Sequence, residues 1–130
     1  MPRRRVFLAA LLLFFWPALA QAAGPVPFSA QAFAAAQAAG KPILVQIHAD
    51  WCPTCAAQKP ILAALERKPE FANLVVFNID FDSQKDLVRK FGAQMQSTLI
   101  AFHGAKETGR SVGETDRGKI EALLETAEAG

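Results

Sequence analysis

Apolar residues along the chain form two kinds of pattern, short continuous runs and helix-spaced stretches. The mainly apolar runs at 43–48 and 74–79 predict buried strands, and the continuity of the second run is typical of a strand buried on both faces by parallel pairing. Residues 98–102 and 108–112, on either side of His103-Gly104, predict a hairpin. Helical spacing predicts helices at about 29–39, 53–67 and 83–91. A last helix is predicted from four apolar residues on one face: Ile120, Leu123, Leu124 and Ala127.

Residues at the predicted helix ends support these boundaries. Ser29 is expected to cap the first helix, with Phe28 and Phe33 as a hydrophobic staple. Ser83 and Asp86 have the spacing of a capping box for the third helix. Residues 24–27 contain two prolines and predict an extended lead-in. The order α-β-α-β-α-β-β-α predicts an α/β fold, a central mixed sheet of about four strands flanked by helices.

The N-terminal residues have the pattern of an export signal. Three arginines at 3–5 precede an apolar stretch at 6–16, and small residues suitable for cleavage follow at Ala20 and Ala22. The apolar segment is shorter than the roughly 20 residues that span a bilayer, although an uncleaved anchor remains the alternative. We therefore expect a signal peptide at 1–22, one domain at 23–130, a periplasmic location and no stable membrane insertion after cleavage.

Removal of this leader changes the charge balance of the chain. The formal net charge of the full sequence is +2, with 14 basic and 12 acidic residues. Loss of the three leader arginines leaves 11 basic residues against the same 12 acidic ones, or about −1. The remaining Lys and Arg residues are scattered singly, so nucleic acid and anionic membrane surfaces are not expected as partners.

The candidate chemistry lies in Trp51-Cys52-Pro53-Thr54-Cys55, which contains both cysteines of the chain. This C-x-x-C follows a predicted buried strand and opens a predicted helix, where free backbone N–H groups favour an anion. A thiolate is the form that attacks disulfides, so the position favours dithiol–disulfide exchange. A purely structural disulfide is the alternative, but so short a loop constrains the unfolded chain little.

These residues, with others at matching spacing, resemble the thioredoxin family. The resemblance covers the chain from about residue 28 and includes Ala49-Asp50-Trp51-Cys52, Pro60-Ile61-Leu62, Asn78-Ile79-Asp80 and Thr98-Leu99-Ile100. It implies a thioredoxin-like fold without a cofactor or metal. Its expected partners are protein thiols and disulfides, and a membrane-bound or periplasmic redox donor. It further implies an attacking thiol and a resolving thiol, with a substrate surface around them: Cys52, Cys55, Trp51, Pro53, Thr54, Gln96 and Ser97.

Three positions depart from the family pattern. Ser97 stands where the family has a proline preceded by a cis bond, and a cis bond before a non-proline costs about 2.5–4 kcal/mol. We therefore expect a trans Gln96–Ser97 bond and a reshaped loop. Gln46 replaces a buried acid and cannot take a proton near neutral pH. His48 replaces an aromatic residue, and we expect either packing with a backbone hydrogen bond or stabilisation of the thiolate.

The sequence thus predicts a thiol-disulfide oxidoreductase, with a weak preference for a reductase or isomerase. The alternative is a metal- or cluster-binding module that uses Cys52 and Cys55, since Ser97 leaves room and a hydroxyl where the family has a proline ring. His103 is expected to be solvated. The acids near the predicted site are expected to cap turns or face solvent rather than bind calcium: Asp50, Asp80, Asp82 and Asp86.

Overall fold

The computed structural model describes residues 24–129. The predicted signal peptide, with its cleavage sites after Ala20 or Ala22, lies outside these residues. No helix of the described part has the length and apolar character needed to cross a membrane. The elements are β1 (Val26–Pro27), α1 (Ala30–Ala38), β2 (Pro42–His48), α2 (Pro53–Glu66), a 3₁₀ turn (Pro69–Phe71), β3 (Val75–Asp80), α3 (Lys85–Lys90), β4 (Thr98–His103), β5 (Lys106–Val112) and α4 (Arg117–Ala129).

The strands form one mixed sheet in the order β1-β3-β2-β4-β5. β3 pairs in parallel with β1 and β2, whereas β4 is antiparallel to β2 and β5 is antiparallel to β4. The predicted α/β fold is confirmed, but the sheet has five strands rather than about four. The added strand is the proline-containing lead-in, which pairs through Val26 and Pro27 with Phe77 and Asn78. Proline is tolerated there because an edge strand pairs on one side only, so the missing N–H can lie on the side that has no partner strand.

The two faces of the sheet pack against different pairs of helices. Side chains alternate along β2, so Val45 and Ile47 face one core while Leu44 faces the other. The first core contains residues of α1 and α3, with a group of edge-to-face aromatic rings, and the second contains residues of α2 and α4. Both faces of the sheet are therefore covered, which explains why residues 42–45 of β2 are all apolar and buried.

The helix cap predicted from the sequence is correct for α1 and wrong for α3. Ser29 Oγ accepts a hydrogen bond from the Ala32 amide at 3.2 Å, which confirms the predicted cap of α1. The predicted capping box of α3 is wrong, because α3 begins after Gln84 without a side-chain cap. Ser83 instead donates its hydroxyl to Asp80 Oδ1 at 2.8 Å. The Asp80 carboxylate at the end of β3 therefore holds Ser83 in the turn before α3.

The expectation of a solvated His103 is also wrong. Its ring is half-buried, and Nδ1 donates to the carbonyl oxygen of Ala127 at 2.7 Å. α4 packs along β4 and β5, so the last turn of α4 reaches the end of the hairpin. His103 therefore joins the C-terminal helix to the sheet.

Candidate active site

The two cysteines lie where β2 ends and α2 begins. Cys52 is the N-cap of α2 and Pro53 occupies the first turn, where a missing N–H is no loss. The amide of Cys55 donates to Cys52 Sγ at 3.1 Å, so the sulfur takes the place of a capping oxygen. Both thiols are free, and the two residues are only 2 % and 3 % exposed. The predicted position of the C-x-x-C at a helix N-terminus is confirmed.

The surroundings of the two sulfurs differ. Burial raises the pKa of the Cys55 thiol, and the hydrogen bond and charge of Cys52 raise it further. Backbone hydrogen bonds of Ala49 and Ser97 act in the opposite direction on that pKa. Cys55 therefore holds its proton, while Cys52 accepts an N–H at the positive end of a helix. This asymmetry suits an attack by Cys52 followed by a slower reaction of Cys55.

Trp51 forms the exposed side of the site. It is 59 % exposed, and its Nε1 donates to Asp82 Oδ2 at 2.6 Å. The hydrogen bond fixes the indole, so an apolar surface lies next to the buried Cys52. Asp82 was expected to cap a turn or face solvent, and its bond to Trp51 was not predicted. Pro53 is exposed and Thr54 is half-buried in the same turn.

The segment opposite the thiols has an unusual backbone. No peptide bond among residues 24–129 is cis, so the expected trans Gln96–Ser97 bond is confirmed. Ser97 has φ +59°, the left-handed region that residues other than glycine rarely adopt. Its N–H donates to the Ile47 carbonyl at 2.8 Å, and its carbonyl accepts from Gly113 N at 3.0 Å. Its hydroxyl donates to the half-buried Gln96 carbonyl at 2.5 Å, within the loop.

Gln46 and His48 face a cavity beside Cys55. The cavity has a volume of about 350 Å³, and both residues lie in its wall with Cys55. Gln46 Nε2 donates to Asn78 Oδ1 at 3.1 Å, which satisfies this half-buried amide. His48 Nε2 lies 3.0 Å from Asp50 Oδ1. Its hydrogen bond thus goes to a carboxylate, whereas the packing alternative expected a backbone partner.

Almost all of the described domain matches a known family. The family model described as Thioredoxin matches residues 25–126. The chain belongs to the thioredoxin family. It is 33 % identical to the thioredoxin of Chlamydia muridarum over 82 residues, which are 63 % of this chain and 78 % of that protein. Thiol-disulfide oxidoreductase activity follows from this membership and from the adjacent Cys52 and Cys55.

Two solved structures show how far the likeness extends. The crystal structure of Trxlp from Edwardsiella tarda EIB202 is 41 % identical with a TM-score of 0.75, covering 77 % of this chain and 97 % of that one. The thioredoxin of Malassezia sympodialis has a TM-score of 0.70 at 19 % identity, covering 83 % and 94 % of the two chains. The second likeness shows the thioredoxin fold alone.

Glu66 is a residue of this thioredoxin-family site that the sequence pattern did not indicate. It lies in the wall of the same cavity as Cys55 and is 7 % exposed. Burial raises the pKa of its carboxyl group. Its position eleven residues after Cys55, three turns along the same side of α2, was the one available indication in the sequence.

Gln58 is the second residue that the pattern did not indicate. It is 4 % exposed, and its Nε2 donates to the carbonyl oxygens of Ser97 at 3.3 Å and Glu114 at 2.9 Å. Its position three residues after Cys55 places the two on one side of α2.

In a metal or cluster site, Cys52 and Cys55 would need further ligands, and the described part groups no third ligand with them. The group of three or more potential metal ligands found in residues 24–129 consists of Glu70, Glu121 and Glu125, without either cysteine. The Ser97 hydroxyl, which that alternative invoked, is used within its own loop. The residues around Cys52 and Cys55 therefore favour thiol chemistry over metal binding.

Proposed function

We propose that this protein is an exported oxidoreductase that reduces or isomerises disulfides of other proteins in the periplasm. A membrane-bound or periplasmic donor would keep its dithiol reduced. The proposal of export is supported by the basic, apolar and small-residue pattern of residues 1–22.

Cys52 and Cys55 would act in two steps. The Cys52 thiolate attacks one sulfur of a substrate disulfide, forms a mixed disulfide and releases the first substrate thiolate. Cys55 then gives its proton to water or to the released substrate thiolate and attacks Cys52 Sγ, which releases the second substrate thiolate. Two electrons pass to the substrate, and Cys52–Cys55 becomes a disulfide. In isomerisation the released substrate thiolate instead attacks another disulfide of the substrate, and the thiolate that this releases attacks the mixed disulfide, which frees Cys52.

The surroundings of Cys52 favour one direction of exchange. Among residues 24–129, the hydrogen bond to its sulfur comes from the Cys55 amide, with no cationic side chain bonded to it. His48 is paired with Asp50 instead. A strongly oxidising dithiol protein needs a strongly stabilised reduced form, and one amide supplies little of that stabilisation. This observation supports a reductase or isomerase.

The redox potential tests this direction. Equilibration with glutathione buffers, followed by alkylation and mass spectrometry, measures the fraction of Cys52–Cys55 disulfide. We expect a value between the about −270 mV of thioredoxin and the about −180 mV of protein disulfide isomerase, below the about −120 mV of strongly oxidising relatives. A value near the upper figure would contradict the reductase proposal. Export is tested separately by N-terminal sequencing of the periplasmic protein, which should begin at Gln21 or Ala23.

A further inference from the structure

Gln58 is a buried polar side chain that the two-step exchange does not use. Its amide nitrogen donates to two backbone carbonyls, Ser97 at 3.3 Å and Glu114 at 2.9 Å. Burial of a side-chain amide costs free energy unless its hydrogen bonds are formed. Both donor bonds of Gln58 are formed with the backbone at Ser97 and next to Gly113.

The bonds of Gln58 join the helix of the thiols to the loop opposite them. Gln58 lies one turn after Cys55 on α2. The Ser97 carbonyl also accepts from Gly113 N, and Glu114 follows at the end of the hairpin. Three segments that are distant in sequence therefore meet at this side chain.

The segment with Gln96 and Ser97 that precedes β4, here the Ser97 loop, needs such a restraint. Ser97 has φ +59°, which a serine rarely adopts without support. Serine also lacks the ring that fixes the backbone of proline. The backbone of Ser97 also lies close enough to the Cys55 thiol to lower its pKa, so a displaced loop would change the surroundings of the second sulfur.

We propose that Gln58 is a positioning residue that fixes the Ser97 loop against α2 and so sets the docking of protein substrates. The inference rests on the proposed function for its substrate class. The loop must stay in place to present its edge to a substrate chain beside Cys52. Small thiol reagents need no such surface.

The test is Gln58→Met, which keeps the length of the side chain and removes both donors. Loss of one or two hydrogen bonds should raise KM for insulin reduction about fivefold, with kcat little changed. Alkylation of Cys52 by iodoacetamide should keep its rate. Amide hydrogen exchange at Ser97 and Gly113 should become about tenfold faster, because the loop opens locally.

Gln37→Met is the matched control. Gln37 is half-buried on α1 beside the β4–β5 turn, at the opposite end of the hairpin from Ser97. It should change neither KM nor exchange at Ser97. Unchanged exchange in Gln58→Met would overturn the proposal, and so would faster exchange with an unchanged KM.

Two measurements keep the inference separate from the proposed function and from folding. Wild-type protein that fails to reduce insulin would refute the proposed function, while exchange at Ser97 would still test the restraint. If Gln58→Met does not fold, the side-chain amide of Gln58 in wild type should exchange at least about tenfold more slowly than that of an exposed glutamine. Equal exchange would overturn the proposal.

Discussion

Replacement of Ser97 by proline tests the left-handed loop directly. Proline fixes φ near −65°, whereas Ser97 has φ +59°, so the native backbone at this position is not accessible to it. Proline also removes the N–H that donates to the Ile47 carbonyl at 2.8 Å. The lost bond, a carbonyl left without that donor and the forced change of backbone should together lower the free energy of unfolding by about 2–4 kcal/mol.

Urea unfolding of the reduced protein without residues 1–22, in which Trp51 is the single tryptophan, measures this change by fluorescence. For a domain of this size the midpoint should fall by about 1–3 M. Ser97→Gly is the control, because it keeps the N–H and favours positive φ. Its relief of about 1–2 kcal/mol is offset by glycine entropy and the lost hydroxyl bond, so its midpoint should stay near that of wild type. A proline variant as stable as the glycine variant would refute the reasoning.

Three further predictions address the thiols, the cavity and the exposed indole. Cys55→Ser should accumulate a mixed disulfide with insulin and Cys52→Ser should form none, as detected by mass spectrometry; trapping by both variants would contradict the assigned order. The raised pKa of Glu66 means that the native state binds more protons than the unfolded state above the ordinary carboxyl pKa, so stability falls as pH rises through this window. Glu66→Gln should flatten this dependence in urea unfolding between pH 4 and 8 and stabilise the protein at neutral pH; an unchanged slope would argue against it. Asp82→Ala should release the Trp51 indole and raise KM for insulin about two- to fivefold, with an unchanged KM as the contrary result.

Much of the site was determined by local features of the amino-acid sequence. Cys52 and Cys55 follow a buried strand and open a helix that begins with proline, and each of these features is decided by neighbours within a few residues. The mainly apolar run of β3 likewise indicated a strand covered on both faces. Local sterics also favoured a trans bond at Ser97, since only proline makes the cis form cheap.

The tertiary structure alone decided which side chains meet around the thiols. Gln58 finds its acceptors 39 and 56 residues away, and Trp51 finds Asp82 31 residues away. Such partners have no periodicity in the sequence, because they are brought together by the order of strands and the packing of α2 on the sheet. The left-handed backbone of Ser97 has the same origin. Serine has no local preference for it, and the hydrogen bonds that hold the loop come from three separate segments of the chain.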